Sequence, residues 1–261
     1  MQKILVNKLI KHFACVIILV GSLSCNENDK PIDKTKISGS DYRLFQDTKA
    51  WNLAKAIRAE NIEDILSILR KDSTLVNFQE KTRGSTLLMM SILHRQVGIA
   101  KILLGFGANP NIHDKNGTSA IIMACADNEL NSKIVQWLLN AGANVNDIEV
   151  GKRRKGNTTR DFPLIVASRN SNLPLVILLM SKGAEVNKTN EYGHTAIGEA
   201  ALLDNYDIVL YLLKSGANAD TEIFTRPEEN NKSYKLKDVL LEDKSNSFIK
   251  KQILEFLIKP K

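Results

Sequence analysis

The chain has little with which to build a catalytic or metal centre. Cysteine occurs three times in 261 residues, as Cys15, Cys25 and Cys125, and no pairing or metal-ligand spacing can be assembled from them. Histidine occurs four times, and the three that lie beyond the N-terminal segment, His94, His113 and His194, stand far apart with no His-Glu-x-x-His spacing. A phosphate-cradling glycine loop and a nucleophile elbow are also missing. The adjacent acids Glu228 and Glu229 sit in a polar stretch, 221–233, read as a loop with no implied pocket. These absences predict a protein that is not an enzyme and that needs no cofactor or metal. Charge of one sign is scarce too: 36 lysines and arginines face 29 acids, a net of +7, and Lys3, Lys8 and Lys11 supply three of those charges, leaving +4 on residues 25–261. A small, dispersed excess argues against nucleic acid as a partner. No apolar run approaches the roughly 20 residues needed to cross a bilayer.

What the chain does have begins at its N-terminus. Lys3, Lys8 and Lys11 precede the apolar run 13–20, and Gly21-Ser22-Leu23-Ser24-Cys25 follows. A basic start, a short apolar core and small residues before a cut make a secretory signal. The cysteine after Ser24 resembles the lipobox of bacterial lipoproteins, although Ser22 stands where that family usually has leucine, which here comes one place later as Leu23. The resemblance implies removal of residues 1–24, lipid on Cys25, and a periplasm-facing, membrane-anchored location, the outer membrane among the options. Simple export with an unmodified cysteine is the alternative. Residues 25–46 are polar, without usable period, and read as a flexible tether. Cys125, set in Met123-Ala124-Cys125-Ala126, reads as a small buried apolar residue.

Self-similarity dominates the rest. Leucine-rich segments end in Gly107-Ala108-Asn109-Pro110-Asn111, Gly142-Ala143-Asn144-Val145-Asn146, Gly183-Ala184-Glu185-Val186-Asn187 and Gly216-Ala217-Asn218-Ala219-Asp220. The starts at 107, 142, 183 and 216 are close to a 33-residue period with insertions in the middle. Upstream of the last copy, Gly193-His194-Thr195-Ala196-Ile197-Gly198-Glu199-Ala200-Ala201 resembles the head of an ankyrin repeat; Gly84-Ser85-Thr86-Leu87-Leu88, Gly117-Thr118-Ser119-Ala120-Ile121 and Phe162-Pro163-Leu164-Ile165-Val166-Ala167-Ser168 are weaker versions. Thr or Ser at these heads can cap a helix, and the later glycine can end one. The resemblance implies an all-α ankyrin-repeat solenoid of helix-turn-helix units with hairpin-like finger loops. The expected units are 47–77 as an N-terminal cap, 78–111, 112–146, 147–187 and 188–220, with 221–261 as the C-terminal cap. Helices are expected at 49–58, 62–71, 87–93, 98–105, 234–242 and 248–259, with Trp51, Leu53, Ile57, Ile65, Leu66 and Leu69 at one end, and Val239, Leu240, Leu241, Ile253, Leu254 and Leu257 at the other, facing the stack.

Ankyrin proteins meet partners through finger loops and first helices, which places candidate contacts by alignment at Arg83 and His94, at Lys115, Asn116 and Asp127, at Arg160, Arg169 and Asn170, and at Glu191, Tyr192 and His194. Leu93, Leu202 and Leu203 either form an exposed apolar strip or pack under the neighbouring helix. The connection 147–161 is 15 residues long where its counterparts have 7, and it holds the basic run Lys152-Arg153-Arg154-Lys155 between two glycines. That run is either a positive tip for an acidic protein or lipid surface, with Arg153 and Arg154 as contacts, or a solvated loop. The resulting expectation is a monomeric, non-catalytic module that binds another protein in the cell envelope, that partner being a toxin or an envelope enzyme among others, with membrane attachment through Cys25. An immunity protein that neutralises a secreted antibacterial effector is the sharper alternative, and a secreted host-directed effector the third.

Overall fold

The structure, a computed structural model, describes residues 32–127, 132–150, 160–226, 232–242 and 247–258. Cys25, Arg153 and Arg154 fall outside them, as does the rest of the basic run. The described helices are α1 (Trp51–Arg58), α2 (Ile62–Lys71), α3 (Leu87–Leu93), α4 (Val97–Gly105), α5 (Ala120–Ala126), α6 (Ser132–Asn140), α7 (Pro163–Arg169), α8 (Leu173–Ser181), α9 (Ala196–Leu202) and α10 (Tyr206–Lys214), then the antiparallel strands β1 (Glu222–Arg226) and β2 (Lys232–Lys235), and finally α11 (Leu236–Glu242) and α12 (Phe248–Ile258).

Each pair repeats one local logic. Thr86 and Thr195 hold the first turns of α3 and α9, their hydroxyls accepting from Met89 N and Gly198 N, while Pro163, which needs no amide hydrogen there, opens α7. The second helix ends on glycine: at Gly142, φ is +88°, and the following Ala143 N donates to Leu138 O at 2.9 Å. That six-to-one bond satisfies a carbonyl that the helix would otherwise leave open. The first helix ends in the same geometry without glycine, through Glu60, Arg95, Ser171 and Asp204 at φ between 53° and 57°.

The pairs stack into two rows. α3, α5, α7, α9 and α11 form the inner row, and α4, α6, α8, α10 and α12 the outer one. Inner helices are covered by neighbours on both sides and by the outer row behind, so six successive residues of α3, from Leu87 to Ile92, are buried, as are Ala196 to Ala201 of α9. A short helix hydrophobic all round is stable only in such a setting. Cys125 is buried among these residues with its thiol pushed up by desolvation.

A second set of bonds ties the first five units together, each to the next. Asn111 accepts from Asn144 N at 2.9 Å and donates to Gly142 O at 2.8 Å. Asn77 makes the same pair of bonds to Asn109 N and Gly107 O, Asn146 to Glu185 N and Gly183 O, and Asn187 to Asn218 N and Gly216 O. A side-chain amide carries both an acceptor and donors, so one residue clamps the helix end of the following unit.

Both caps differ from expectation. Part of the expected tether is folded: Tyr42–Phe45 form a 3-10 turn with Tyr42, Leu44 and Phe45 buried against α1, supplying the cover that a preceding unit would give. At the other end, the stretch read as a polar loop contains the hairpin β1–β2, in which Ile223 and Tyr234 are buried, and α11 starts at Leu236 in place of residue 234. Leu53, Ile57, Ile65, Leu69, Leu240 and Ile253 are buried as expected; Leu241, expected to face the stack, is 62% exposed.

Asn146→Ala, which deletes one clamp, is expected to lower unfolding free energy by about 1–2 kcal/mol in urea titration, and Asn146→Asp, which keeps the acceptor alone, by an intermediate amount. Equal stability of all three proteins would refute the clamp.

Candidate functional site

The finger turns are shaped from within by one side chain at a repeated place. Glu80 accepts from Thr82 N at 2.6 Å, Arg83 N at 2.7 Å and Ser85 N at 3.1 Å. Asp114 Oδ1 takes Asn116 N and Thr118 N, both at 2.9 Å, and Asn190 Oδ1 takes Tyr192 N at 3.0 Å and His194 N at 2.9 Å. Three residue types do one job, because each presents an oxygen to the turn amides. Burial raises the Asp114 carboxyl above its ordinary range, the amide bonds opposing it. Adjacent fingers are joined by Lys115 N to Arg83 O at 2.7 Å, by Gln79 Nε2 to His113 O at 2.7 Å, and by Val150 N to Gly117 O at 3.1 Å. The fingers therefore form one bonded edge beside the inner helices.

Along that edge the expected contact residues separate into groups. Arg169 donates to Asp161 at 2.6 Å and to Glu199 at 2.8 Å, and His194 Nδ1 lies 2.7 Å from the other oxygen of Glu199. Asn190 Nδ2 also reaches Asp161, at 2.9 Å. Asn170 Nδ2 donates to the carbonyls of Cys125 and Ala126 at 3.2 Å, and Asp127 pairs with Arg95 at 2.8 Å across two units. Arg169, Asn170, Asp127 and His194 thus have polar groups already engaged by other groups of the chain, the first three of them across units. The first-helix ends expose Leu93 in the second unit and Leu202 and Leu203 in the fifth.

The outward part of the edge is Tyr192 with its flanks. Tyr192 is 58% exposed at the tip of its finger, its ring tilted against His194 at 6.1 Å, and Arg160 pairs with Glu191 beside it at 3.3 Å. Lys115 donates to the Lys81 carbonyl, and Asn116 is exposed on the same finger row. Arg83 and His94 stand apart from the rest, because a segment of this chain lies on them: Arg83 Nη2 donates to Ile37 O at 3.0 Å, His94 Nε2 is 2.6 Å from Ser40 O, and the Tyr42 ring stacks on His94 at 4.9 Å. Sequence reasoning missed the finger-shaping Glu80, Asp114 and Asn190, although their position, five or six residues before each helix cap, is a readable signal. It also missed Glu199, which meets Arg169 of the preceding unit as well as His194 of its own. Among the described residues no group of histidines, cysteines and acids is placed to hold a metal ion.

The Asp161–Arg169–Glu199–His194 network has an electrostatic consequence. Burial acts to raise the Glu199 carboxyl, but the Arg169 and His194 bonds together outweigh it and hold the group below its ordinary range. A carboxyl depressed in the folded state contributes stability above its unfolded value, and that contribution is lost as pH falls through the folded one. Glu199→Gln is expected to cost about 1–3 kcal/mol at neutral pH and to flatten the loss of stability below the ordinary glutamate range. Melting curves collected from pH 7 to 3 check this, and parallel pH profiles for the two proteins would contradict it.

Comparison with known proteins agrees with this geometry. The family described as Ankyrin repeats (3 copies) matches residues 53–149 and 148–223. Among curated proteins, the chain is 30% identical over 158 residues to neurogenic locus notch homolog protein 1 of Xenopus tropicalis and 29% identical over 167 residues to neurogenic locus notch homolog protein 2 of Homo sapiens. These alignments cover 60% and 62% of this chain and 6% of each relative, so the likeness is confined to a repeat array within much longer proteins. Such arrays are protein–protein interaction modules. With two rows of stacked helices, a bonded finger edge and a family match across more than half its length, the chain belongs to the ankyrin-repeat family.

Proposed function

We propose that this protein is a non-catalytic binding module of the bacterial cell envelope, anchored by lipid on Cys25, which captures a protein partner along its finger edge. The carrying observation is Tyr192: a large aromatic ring held outward on a rigid turn beside the Arg160–Glu191 pair. An aromatic side chain loses little entropy on binding and supplies much contact area, and a forked guanidinium next to it suits polar recognition. The basic run 152–155, between Val150 and Arg160 in sequence, adds positive charge to that connection and favours an acidic protein surface. The polar groups engaged within the stack support binding over catalysis, since Glu199, Asp161 and His194 bond to one another and to Arg169.

Envelope location is supported by the basic start, the apolar run 13–20 and the small residues before Cys25. The second reading, an immunity protein that covers the active site of a secreted antibacterial effector, is favoured by the same combination of an export signal with a rigid finger edge. A secreted host-directed effector is the third reading, and a retained lipid anchor would argue against it.

Cys25→Ala is expected to move the protein from the membrane fraction to the soluble fraction after cell lysis and to abolish incorporation of labelled fatty acid. Unchanged fractionation would remove the anchor. Replacing Arg153, Arg154, Arg160 and Tyr192 by alanine together is expected to abolish capture of partner from envelope extract, read by mass spectrometry, with a thermal melt close to that of the parent. Capture at the parental level would remove these residues from the site. An effector nuclease, lipase or peptidoglycan hydrolase as the captured protein would select the immunity reading.

A further inference from the structure

The edge that ends at Tyr192 begins, at its other end, with a site already occupied. Residues 33–41 run across the second repeat from finger to helix end: Ile37 O takes the Arg83 guanidinium, Ser40 O meets His94, and Ile37 rests on the margin of the core. Beyond this segment the chain is firmly seated, with Tyr42, Leu44 and Phe45 buried and the Tyr42 hydroxyl donating to Gln96 Oε1 at 2.6 Å. Residues 33–41 are different, since all of them are exposed or half-exposed and Ile37 is their one apolar contact with the core. A segment with so little buried apolar surface opens at low cost.

The segment also fits Arg83 poorly. Arg83 offers a fork of donors, of which Nη2 meets a single main-chain carbonyl, while Nε is buried with no hydrogen-bond partner among the described residues. A buried donor left without an acceptor is a standing penalty, and a carboxylate is the group that takes Nε and a terminal nitrogen of a guanidinium together. The place from which it would do so is marked by Gly39: a side chain starting there would begin 3.5 Å from Arg83 Nε and 3.2 Å from Cδ, against the flexible arginine and not against backbone.

We propose that the Arg83–His94 end of the edge is a binding site for an extended acidic peptide segment, held closed in the free protein by residues 33–41. The partner segment supplies two main-chain carbonyls three residues apart, for Arg83 and His94, and between them an aspartate or glutamate for the open donor of Arg83. Opening swings residues 33–40 away at Asp41, whose carboxylate caps the turn Tyr42–Phe45 and stays with it. This proposal rests on the binding-module reading and deepens it by naming a partner chemistry. Its test needs no natural partner, so the two fail separately.

The probes are fluorescein-labelled nonapeptides with the sequence of residues 33–41, one unchanged and one carrying Gly39→Asp. The receptors are the full chain and the full chain with Ile37→Gly, which frees the segment without touching the groove; Ile37→Ala is the milder release if the glycine variant melts early. Fluorescence anisotropy is expected to show the Gly39→Asp peptide binding the released chain about tenfold more tightly than it binds the unaltered chain, because an occupied site binds in proportion to its open fraction. It should also bind the released chain about tenfold more tightly than the unchanged peptide, and Arg83→Gln added to the release should erase that difference. Equal binding to the released and unaltered chains overturns the closure. No gain from the aspartate, or a gain that survives Arg83→Gln, overturns the acidic specificity, and no binding of either peptide overturns the site.

Discussion

One asparagine at each of four successive junctions sets the geometry of this protein. Asn77, Asn111, Asn146 and Asn187 each reach forward to the helix-ending loop of the next unit with the same two bonds, and the loops they reach are the glycine turns that close the outer helices. Apolar burial between neighbouring helices is strong but non-directional. It would tolerate a slide or a rotation between units. The paired amide bonds do not, since they are satisfied at only one register. Because that register holds from one junction to the next, fingers from successive units lie side by side and bond to one another.

A stack of this kind distributes stability by nearest neighbours, and its ends are where that arrangement is weakest. The two ends are closed by different means. At the first, a 3-10 turn delivers Tyr42, Leu44 and Phe45 to the open flank of α1. At the last, a two-stranded hairpin and two helices cover α9 and α10, leaving Leu241 and Phe248 in solvent. The N-terminal solution has a consequence for binding, because the same stretch of chain that leads into the cover also lies over Arg83 and His94. End-capping and occupancy of the partner-facing edge are thereby joined in one segment, and the residues on either side of Asp41 divide the two tasks by burial.

The charged groups inside the stack follow a related division. Arg169 bonds acids on two sides, Asp161 from the finger before its own helix and Glu199 from the next unit, so it acts as a spacer with directional bonds. Had these groups been exposed, each pair would count for little against solvent. With Asp161 and Glu199 both buried, losing one partner leaves a charge uncompensated, so the network holds the fourth and fifth units at one spacing and supports the finger that presents Tyr192.

The sequence by itself determined the unit. Gly-Ala pairs at 107, 142, 183 and 216, threonines ahead of apolar runs and leucine-rich second helices are local signals, because helix starts, helix ends and amphipathic spacing involve residues within one or two turns of each other. What only the tertiary structure decided is which polar side chains face outward. Arg169 and Asn170 look in sequence like Arg160 and Tyr192, and nothing local tells them apart; the difference is made by Glu199, 30 residues from Arg169, and by the Cys125 and Ala126 carbonyls, 45 and 44 residues from Asn170. The fate of residues 33–46 was hidden for the same reason. Their composition is that of a tether, and their place on α1, Arg83 and His94 exists only once the first two units have stacked and left an open flank to cover.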